Sequence, residues 1–216
     1  MSEKNTIKEM SYWNDFYSSN EFEMPSQFCT LLASESSRTI PVIEFGCGNG
    51  RDSLFLARHG YHVYAIDLSM EAIKKCNSKS ESMDNIEFRQ GDVTVESDVS
   101  ALIIDAKNKH KNSSVIAYSR FFFHSIDSDQ EDLLLSYLSK YLETGDSLYL
   151  EFRSKEDEGT NKIFNSHYRR YVDSEKLIEK LINEHNFEIS YSIVGKGMAK
   201  YKAEDAIVAR IIALKK

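Results

Sequence analysis

A buried strand that runs straight into three closely spaced glycines and then a helix constrains this chain more than any other feature. The stretch Val42 to Ser53, VIEFGCGNGRDS, ends a β-rich apolar run (Thr39 to Phe45) on Gly46, Gly48 and Gly50 in G-x-G-x-G spacing. Residues without Cβ let the backbone turn sharply and approach a ligand closely. Glu44 stands just before the first glycine, where a carboxylate at a strand end can face a cationic ligand group. Asp67 closes the next apolar strand, HVYAID, where an acid can accept hydrogen bonds from both hydroxyls of a ribose. Two acids and three glycines therefore share one crevice.

A dinucleotide fold would show G-x-G-x-x-G, its third glycine admitting a diphosphate onto a helix N-terminus. Here that third position is Arg51, and a strand-terminal acid beside the loop suits the α-amino group of a methionine moiety better than a diphosphate. The residue set resembles motif I of the class I S-adenosylmethionine-dependent methyltransferases. The resemblance implies S-adenosylmethionine as cofactor and S-adenosylhomocysteine as product, with Glu44, Gly46, Cys47, Gly48 and Asn49 in the loop and Asp67 and Leu68 at the ribose. It extends to Asn85–Val93, NIEFRQGDV, where Asp92 and the Val93 amide correspond to the family's adenine-reading pair. Ser114 to Tyr118 then reads as a buried strand leading into Ser119, Arg120, the aromatic run Phe121 to Phe123, and His124. In the family this is the fourth motif, beneath the methionine arm and next to the transferred methyl. It places Ser119 on the cofactor and Arg120 and His124 at the chemistry. Nucleic-acid amino-methyltransferases commonly carry Asn or Asp, two prolines and an aromatic there, a pattern this chain lacks.

The 216 residues, 41% hydrophobic, suffice for one substantial core, and no break in composition marks a second one. A net charge of −7 argues against nonspecific nucleic-acid binding, which needs a basic face. No apolar run reaches spanning length and MSEKNTIKEM lacks a secretion-signal core, so no membrane partner and a cytoplasmic location are expected. Cys29, Cys47 and Cys76 match neither a disulfide framework nor a zinc pattern. Cys47 reads as a small space-filler between loop glycines. His59 and His62 straddle Gly60 without acidic or thiol partners, so no metal is expected.

Alternating strands and helices describe a mostly parallel sheet covered on both faces. Helices are expected over Arg51–His59, Ser69–Lys79, residues 95–108, Ser128–Leu142 and Asp173–His185, with Ser128 and Glu131 as a capping box for the fourth. Ser147–Phe152 reads as the fifth strand. Phe187–Val194 and Ala206–Leu214 read as a final pair joined by a loop. The family's Rossmann-like sheet of seven strands, its last strand antiparallel, has this order. Residues 1–38 are expected to form a helical cap and 39–216 the methyltransferase domain. Tyr12, Trp13, Phe16 and Tyr17 recur at helical spacing, and many family members cover the cofactor with an N-terminal helix, which makes Tyr17 a lid residue.

Ligands of open α/β sheets bind outside the carboxyl ends of the strands. The connection 153–172 is long for such a fold, and its second half concentrates His167, Tyr168, Arg169, Arg170 and Tyr171. Guanidinium forks suit phosphate or carboxylate. With Arg120, His124 and Arg153 at strand ends and Tyr201 in the last loop, these residues point to a small polar, anionic acceptor. The expected classes are phosphate, phosphonate, carboxylate or sugar derivative, as in surface-glycan assembly, methylated on oxygen. A hydroxyl acceptor would use His124 as base, whereas an anionic oxygen would need none. Amine or protein N-methylation, and cofactor binding without turnover, are the alternatives.

Overall fold

The computed structural model describes residues 3–19, 23–111, 114–160, 162–163 and 168–216, with side chains from residue 11 onward in the first helix. In chain order the elements are α1 (Glu3–Ser19), α2 (Gln27–Glu35), β1 (Val42–Phe45), α3 (Arg51–Arg58), β2 (Val63–Asp67), α4 (Met70–Ser80) and β3 (Ile86–Gln90). They continue as α5 (Glu96–Lys109), β4 (Ile116–Arg120), α6 (Ser128–Tyr141), β5 (Ser147–Arg153), α7 (Ser174–Asn183), β6 (Phe187–Gly195) and β7 (Val208–Lys215). The seven strands form one sheet in the order β3-β2-β1-β4-β5-β7-β6. Only β7 runs antiparallel to its neighbours, as expected from the sequence. The order reverses between β1 and β4, so the crevice beyond their carboxyl ends is the topological switch point.

Helices stop and start on side-chain chemistry. Ser26 caps α2 by accepting from Cys29 N, and Ser69 caps α4 by accepting from Ala72 N. The capping box of α6 is formed by Asp127 and Gln130 rather than Ser128 and Glu131. The Asp127 carboxylate accepts from Gln130 N, and the Gln130 side chain accepts from Asp127 N, both at 2.9 Å. Glu131, one residue on, is instead buried and spent on Arg170 and Lys180.

Two apolar layers sandwich the sheet. On one face α5, α6 and α7 bring Val99, Leu102, Leu134, Leu138, Leu177 and Leu181 onto Ile43, Ile66, Ala117 and Leu150. On the other, α2, α3 and α4 bring Phe28, Leu32, Leu54, Leu56 and Ile73 onto Val42, Val63, Tyr118 and Ile212. The segment expected as a cap thus divides. α2 is core, with Phe28, Cys29 and Leu32 fully buried, whereas α1 lies on α4. There Ser69 Oγ donates to Asn14 Oδ1 at 2.6 Å and Lys75 Nζ donates to the Tyr17 carbonyl at 2.6 Å. Both anchors flank the carboxyl end of β2, which sets the aromatic ridge of α1 beside the switch point.

Candidate active site

A cavity of about 500 Å³ opens at the carboxyl ends of β1, β2, β4 and β5. One end is built by the glycine loop. Gly46 and Gly48 both have positive φ (74° and 55°), a region costly for residues with Cβ. Space is as restrictive as conformation: a Cβ on Gly46 would stand 2.2 Å from the Phe122 ring, and one on Gly48 2.3 Å from the Tyr17 hydroxyl. Phe122, just after β4, and Tyr17, in α1, thus close over the loop.

Glu44, only 4% exposed, lies on this end and accepts a hydrogen bond from Ser53 Oγ. Burial, and then the nearby Asp52 carboxylate, pushes its carboxyl up to about 8. A buried acid held in this way on a cavity wall is suited to a cationic ligand group, which would restore its charge. Asp67, raised above the usual carboxylate range by burial, accepts from Gly48 N at 2.8 Å and Ser69 N at 2.9 Å. One carboxylate therefore ties the glycine loop to the start of α4 while lining the cavity. Asp92 also lines it, its Oδ1 accepting from Thr94 N and Thr94 Oγ1, both at 2.8 Å. Cys47, Asn49, Leu68, Val93 and Tyr17 complete this wall. A methionine ammonium facing Glu44, a ribose facing Asp67 and an adenine beside Asp92 and Val93 agree with the donors and acceptors present. Ser119 does not join them: it is 2% exposed and its Oγ donates to the Phe45 carbonyl at 3.1 Å, which joins β4 to β1 instead.

The other end is made of charged side chains. Arg120 donates to Glu151 Oε1 at 2.9 Å while Arg210 donates to Glu151 Oε2 at 2.7 Å and to the Met198 carbonyl at 2.7 Å. Burial opposes the charge of Arg120, but Glu151, Asp52 and Tyr118 together outweigh it and its pKa is raised. The Arg120 guanidinium also lies 3.9 Å from the ring centroid of Phe121, a residue in left-handed backbone (φ 56°). Arg153 lines the cavity, yet its guanidinium is held by Asp157 at 2.6 Å and by Glu204. It builds the wall instead of standing ready as a ligand fork.

His124, 3% exposed, also lines the cavity, and its Nδ1 accepts from the Arg153 backbone N–H at 3.1 Å. That bond places the proton of the neutral imidazole on Nε2. The ring thus stands on the cavity wall with Nδ1 taken up by the backbone of residue 153.

The basic cluster of 167–171 separates residue by residue. Arg169 lines the cavity. Arg170 is absent from the cavity lining and donates instead to Glu131 and to the Phe123 carbonyl at 3.2 Å. Tyr168 is 49% exposed and does not line the cavity. His167 lies outside the described residues. Tyr201 and Lys200 do reach the cavity from the β6–β7 loop.

Several lining residues were not foreseen. Asp52, 2% exposed, accepts from Ser26 N at 2.7 Å, Ser26 Oγ at 2.7 Å and Tyr118 Oη at 2.8 Å, fixing the Met24–Gln27 wall to α3. An acid in the first turn of a helix reads as a dipole partner, so the sequence held no sharper signal. Arg51, whose pKa is lowered by burial and by Arg120, and Glu204 line the cavity as well. Among the described residues, no three His, Cys, Asp or Glu side chains are grouped to hold a metal, and no helix is long and apolar enough to cross a membrane.

Residues 42–145 match the family described as "Methyltransferase domain". The chain is 33% identical over 132 residues to an uncharacterized methyltransferase of Schizosaccharomyces pombe, covering 60% of this chain and 78% of that one. It is 30% identical over 142 residues to phosphoethanolamine N-methyltransferase 1 of Zea mays, which covers 65% of this chain but only 26% of the maize enzyme. Among solved structures, a S-adenosylmethionine-dependent methyltransferase of Anabaena variabilis superposes with a TM-score of 0.70 at 19% identity, covering 98% of this chain and 95% of that one. The glycopeptide N-methyltransferase MtfA, complexed with S-adenosylmethionine, superposes at 0.65 and 13% identity over 92% and 90%.

Proposed function

The chain belongs to the class I S-adenosylmethionine-dependent methyltransferases, and from that premise we propose that it methylates an oxygen of a small polar, anionic acceptor. Glu44, Gly46, Cys47, Gly48, Asn49, Asp67, Leu68, Asp92, Val93 and Tyr17 hold the cofactor in this reading, and Arg120, His124, Arg153, Arg169 and Tyr201 form the acceptor side. When bound, S-adenosylmethionine supplies a methyl activated on sulfonium: an acceptor oxygen lone pair forms the O–C bond as the C–S bond breaks, its electrons staying on sulfur in neutral S-adenosylhomocysteine. The protein's own part is alignment and exclusion of water.

The observation that carries the reading is the cation-rich acceptor end. Arg120, Arg153 and Arg169 line it beside His124, and an anionic oxygen brought there needs no base. A sugar phosphate, phosphonate or carboxylate of the kind used in surface-glycan assembly in the cytoplasm fits this requirement. An amine acceptor carrying an anionic group is the second reading, favoured by the match to an enzyme named for phosphoethanolamine. A screen of sugar phosphates, phosphonates, carboxylates and amines with methyl-labelled cofactor tests both. Label in a base-labile ester with release of S-adenosylhomocysteine is expected. Label appearing only on amines would replace the oxygen assignment by the second reading.

A further inference from the structure

The aromatic run Phe121–Phe123 divides residue by residue. Phe123, 1% exposed, is core, and Phe122 packs against that core beside Gly46. Phe121 belongs to neither apolar layer and lines the cavity instead. It does so in left-handed backbone (φ 56°), where Cβ crowds the following carbonyl and which glycine would adopt without that cost. Two other described residues with side chains share this region, Asn186 and Lys202, and neither lines the cavity. A strained residue persists only where its surroundings hold it. Phe121 N donates to the Glu151 carbonyl at 2.7 Å, and Ser125 Oγ donates to the Phe121 carbonyl at 3.3 Å. The ring lies under two guanidiniums, Arg120 at 3.9 Å and Arg153 at 5.5 Å from its centroid, and meets the His124 imidazole edge-on at 5.1 Å. One residue of β5 closes the arrangement. The Glu151 side chain accepts from Arg120 Nε at 2.9 Å, while its main chain accepts from the residue on whose ring the same guanidinium lies. Packing on the sheet does not account for this ring, and glycine would form the turn at less cost.

Resting on the anionic-acceptor reading, we propose that Phe121 is a positioning residue for the acceptor, its ring being the platform that fixes the Arg120 guanidinium where an anionic group meets it. A guanidinium held through Nε by one carboxylate can still rock about that bond. A ring face against it removes that freedom, because the cation is attracted to the face and loses its water on that side. The acceptor then meets a fork that is already set, and the entropy of ordering an arginine is not lost on binding. Phe121 thus acts through Arg120 and offers the ligand neither charge nor hydrogen bond of its own.

The test is a double-mutant cycle read by calorimetry on the full chain, saturated with S-adenosylhomocysteine at pH 8, with ethyl phosphate as the probe. Phe121→Leu, which keeps the backbone cost and loses the ring face, should weaken ethyl phosphate about tenfold, within the reach of a desolvated cation–π contact. Phe121→Gly, which eases the backbone and also loses the ring, should weaken it as much. Phe121→Tyr keeps the ring face and should bind within about twofold of the unaltered chain. In an Arg120→Met background, where Glu151 keeps Arg210, Phe121→Leu should cost less than about twofold, because the group it positions is gone. S-adenosylhomocysteine affinity should be the same in all the Phe121 variants. Undiminished ethyl phosphate binding by Phe121→Leu and Phe121→Gly, or an equal loss with and without the Arg120 side chain, would overturn the positioning role and leave the anionic acceptor standing. Loss of S-adenosylhomocysteine binding in step with ethyl phosphate would also overturn it, since the residue would then support the whole cavity. Failure of ethyl phosphate to bind the unaltered chain would remove the anionic acceptor and the positioning role with it.

Discussion

The two ends of the cavity are built by different means. The end proposed for the cofactor comes from β1, β2 and β3 and is shaped by backbone: positive-φ glycines, amides held by Asp67, and a buried acid whose pKa is raised by burial. The acceptor end comes from β4, β5, β7 and the loops beyond them and is shaped by side chains in shared ion pairs. A backbone-built site tolerates almost no change of volume but is specified by contiguous sequence. A side-chain-built site can exchange charge and size while the sheet beneath it stays fixed. One sheet can therefore keep its cofactor and vary its acceptor.

The sharpest way to break that contrast is Gly46→Val. The residue would occupy left-handed backbone, costing about 1–2 kcal/mol, and would meet the Phe122 ring, adding about 1–3 kcal/mol of overpacking. Urea unfolding should show about 2–5 kcal/mol of lost stability and no measurable cofactor binding. A variant of unchanged stability that still binds S-adenosylhomocysteine would mean that the loop is not backbone-limited.

Asp67→Ala is the next largest. The carboxylate orders Gly48 N and Ser69 N and lines the cavity, where the proposed reading sets the ribose, each charge-assisted bond worth about 1.5–3 kcal/mol. Cofactor affinity should fall at least about tenfold by calorimetry, which corresponds to about 1.4 kcal/mol. Ethyl phosphate affinity at saturating S-adenosylhomocysteine should change little. Parallel loss of both would show that the two ends are one coupled unit.

The same division explains what was legible in the sequence. Asp67 ends an apolar strand, Glu44 stands one residue before the end of another, and Asp92 follows a short alternating strand and a glycine, so alternation and strand length place them without any knowledge of strand order. The ion pairs of the other end depend on that order. Arg120 lies opposite Glu151 across β4 and β5, and Glu151 opposite Arg210 across β5 and β7, neighbours only once β7 inserts beside β5. Arg169 and Arg170 are consecutive residues outside any helix or strand, yet one lines the cavity and the other pairs with Glu131, a choice made by tertiary packing. For the α6 cap, the four-residue pattern fits equally from Asp127 and from Ser128. The need of Arg170 and Lys180 for Glu131 decides between them. His124 was found by its position after β4, but its tautomer rests on an amide of residue 153 that no local reading supplies.

The smallest effect separates the two ends by protons. In the cofactor-free protein the Glu44 carboxyl titrates near 8, so at pH 7 about nine-tenths of the molecules carry its proton. An acid whose pKa is raised by folding adds stability below its unfolded value, near 4.5, and that contribution is lost as pH rises through about 8. Melting temperature without cofactor should therefore decline between pH 5 and 8, and Glu44→Gln should flatten the decline. A cation brought to Glu44 returns it to the charged form. S-adenosylmethionine binding at pH 7 should accordingly release close to one proton, read as the dependence of the binding heat on the ionisation enthalpy of the buffer. Glu44→Gln should release none. At the acceptor end, ethyl phosphate binding at pH 8 brings a dianion to guanidiniums already protonated, and its heat should be independent of buffer. Equal proton release by Glu44→Gln and the unaltered chain would remove Glu44 from the cation's side of the cavity. Buffer-dependent heat at the acceptor end would show that its arginines are not the fixed charges on which the contrast depends.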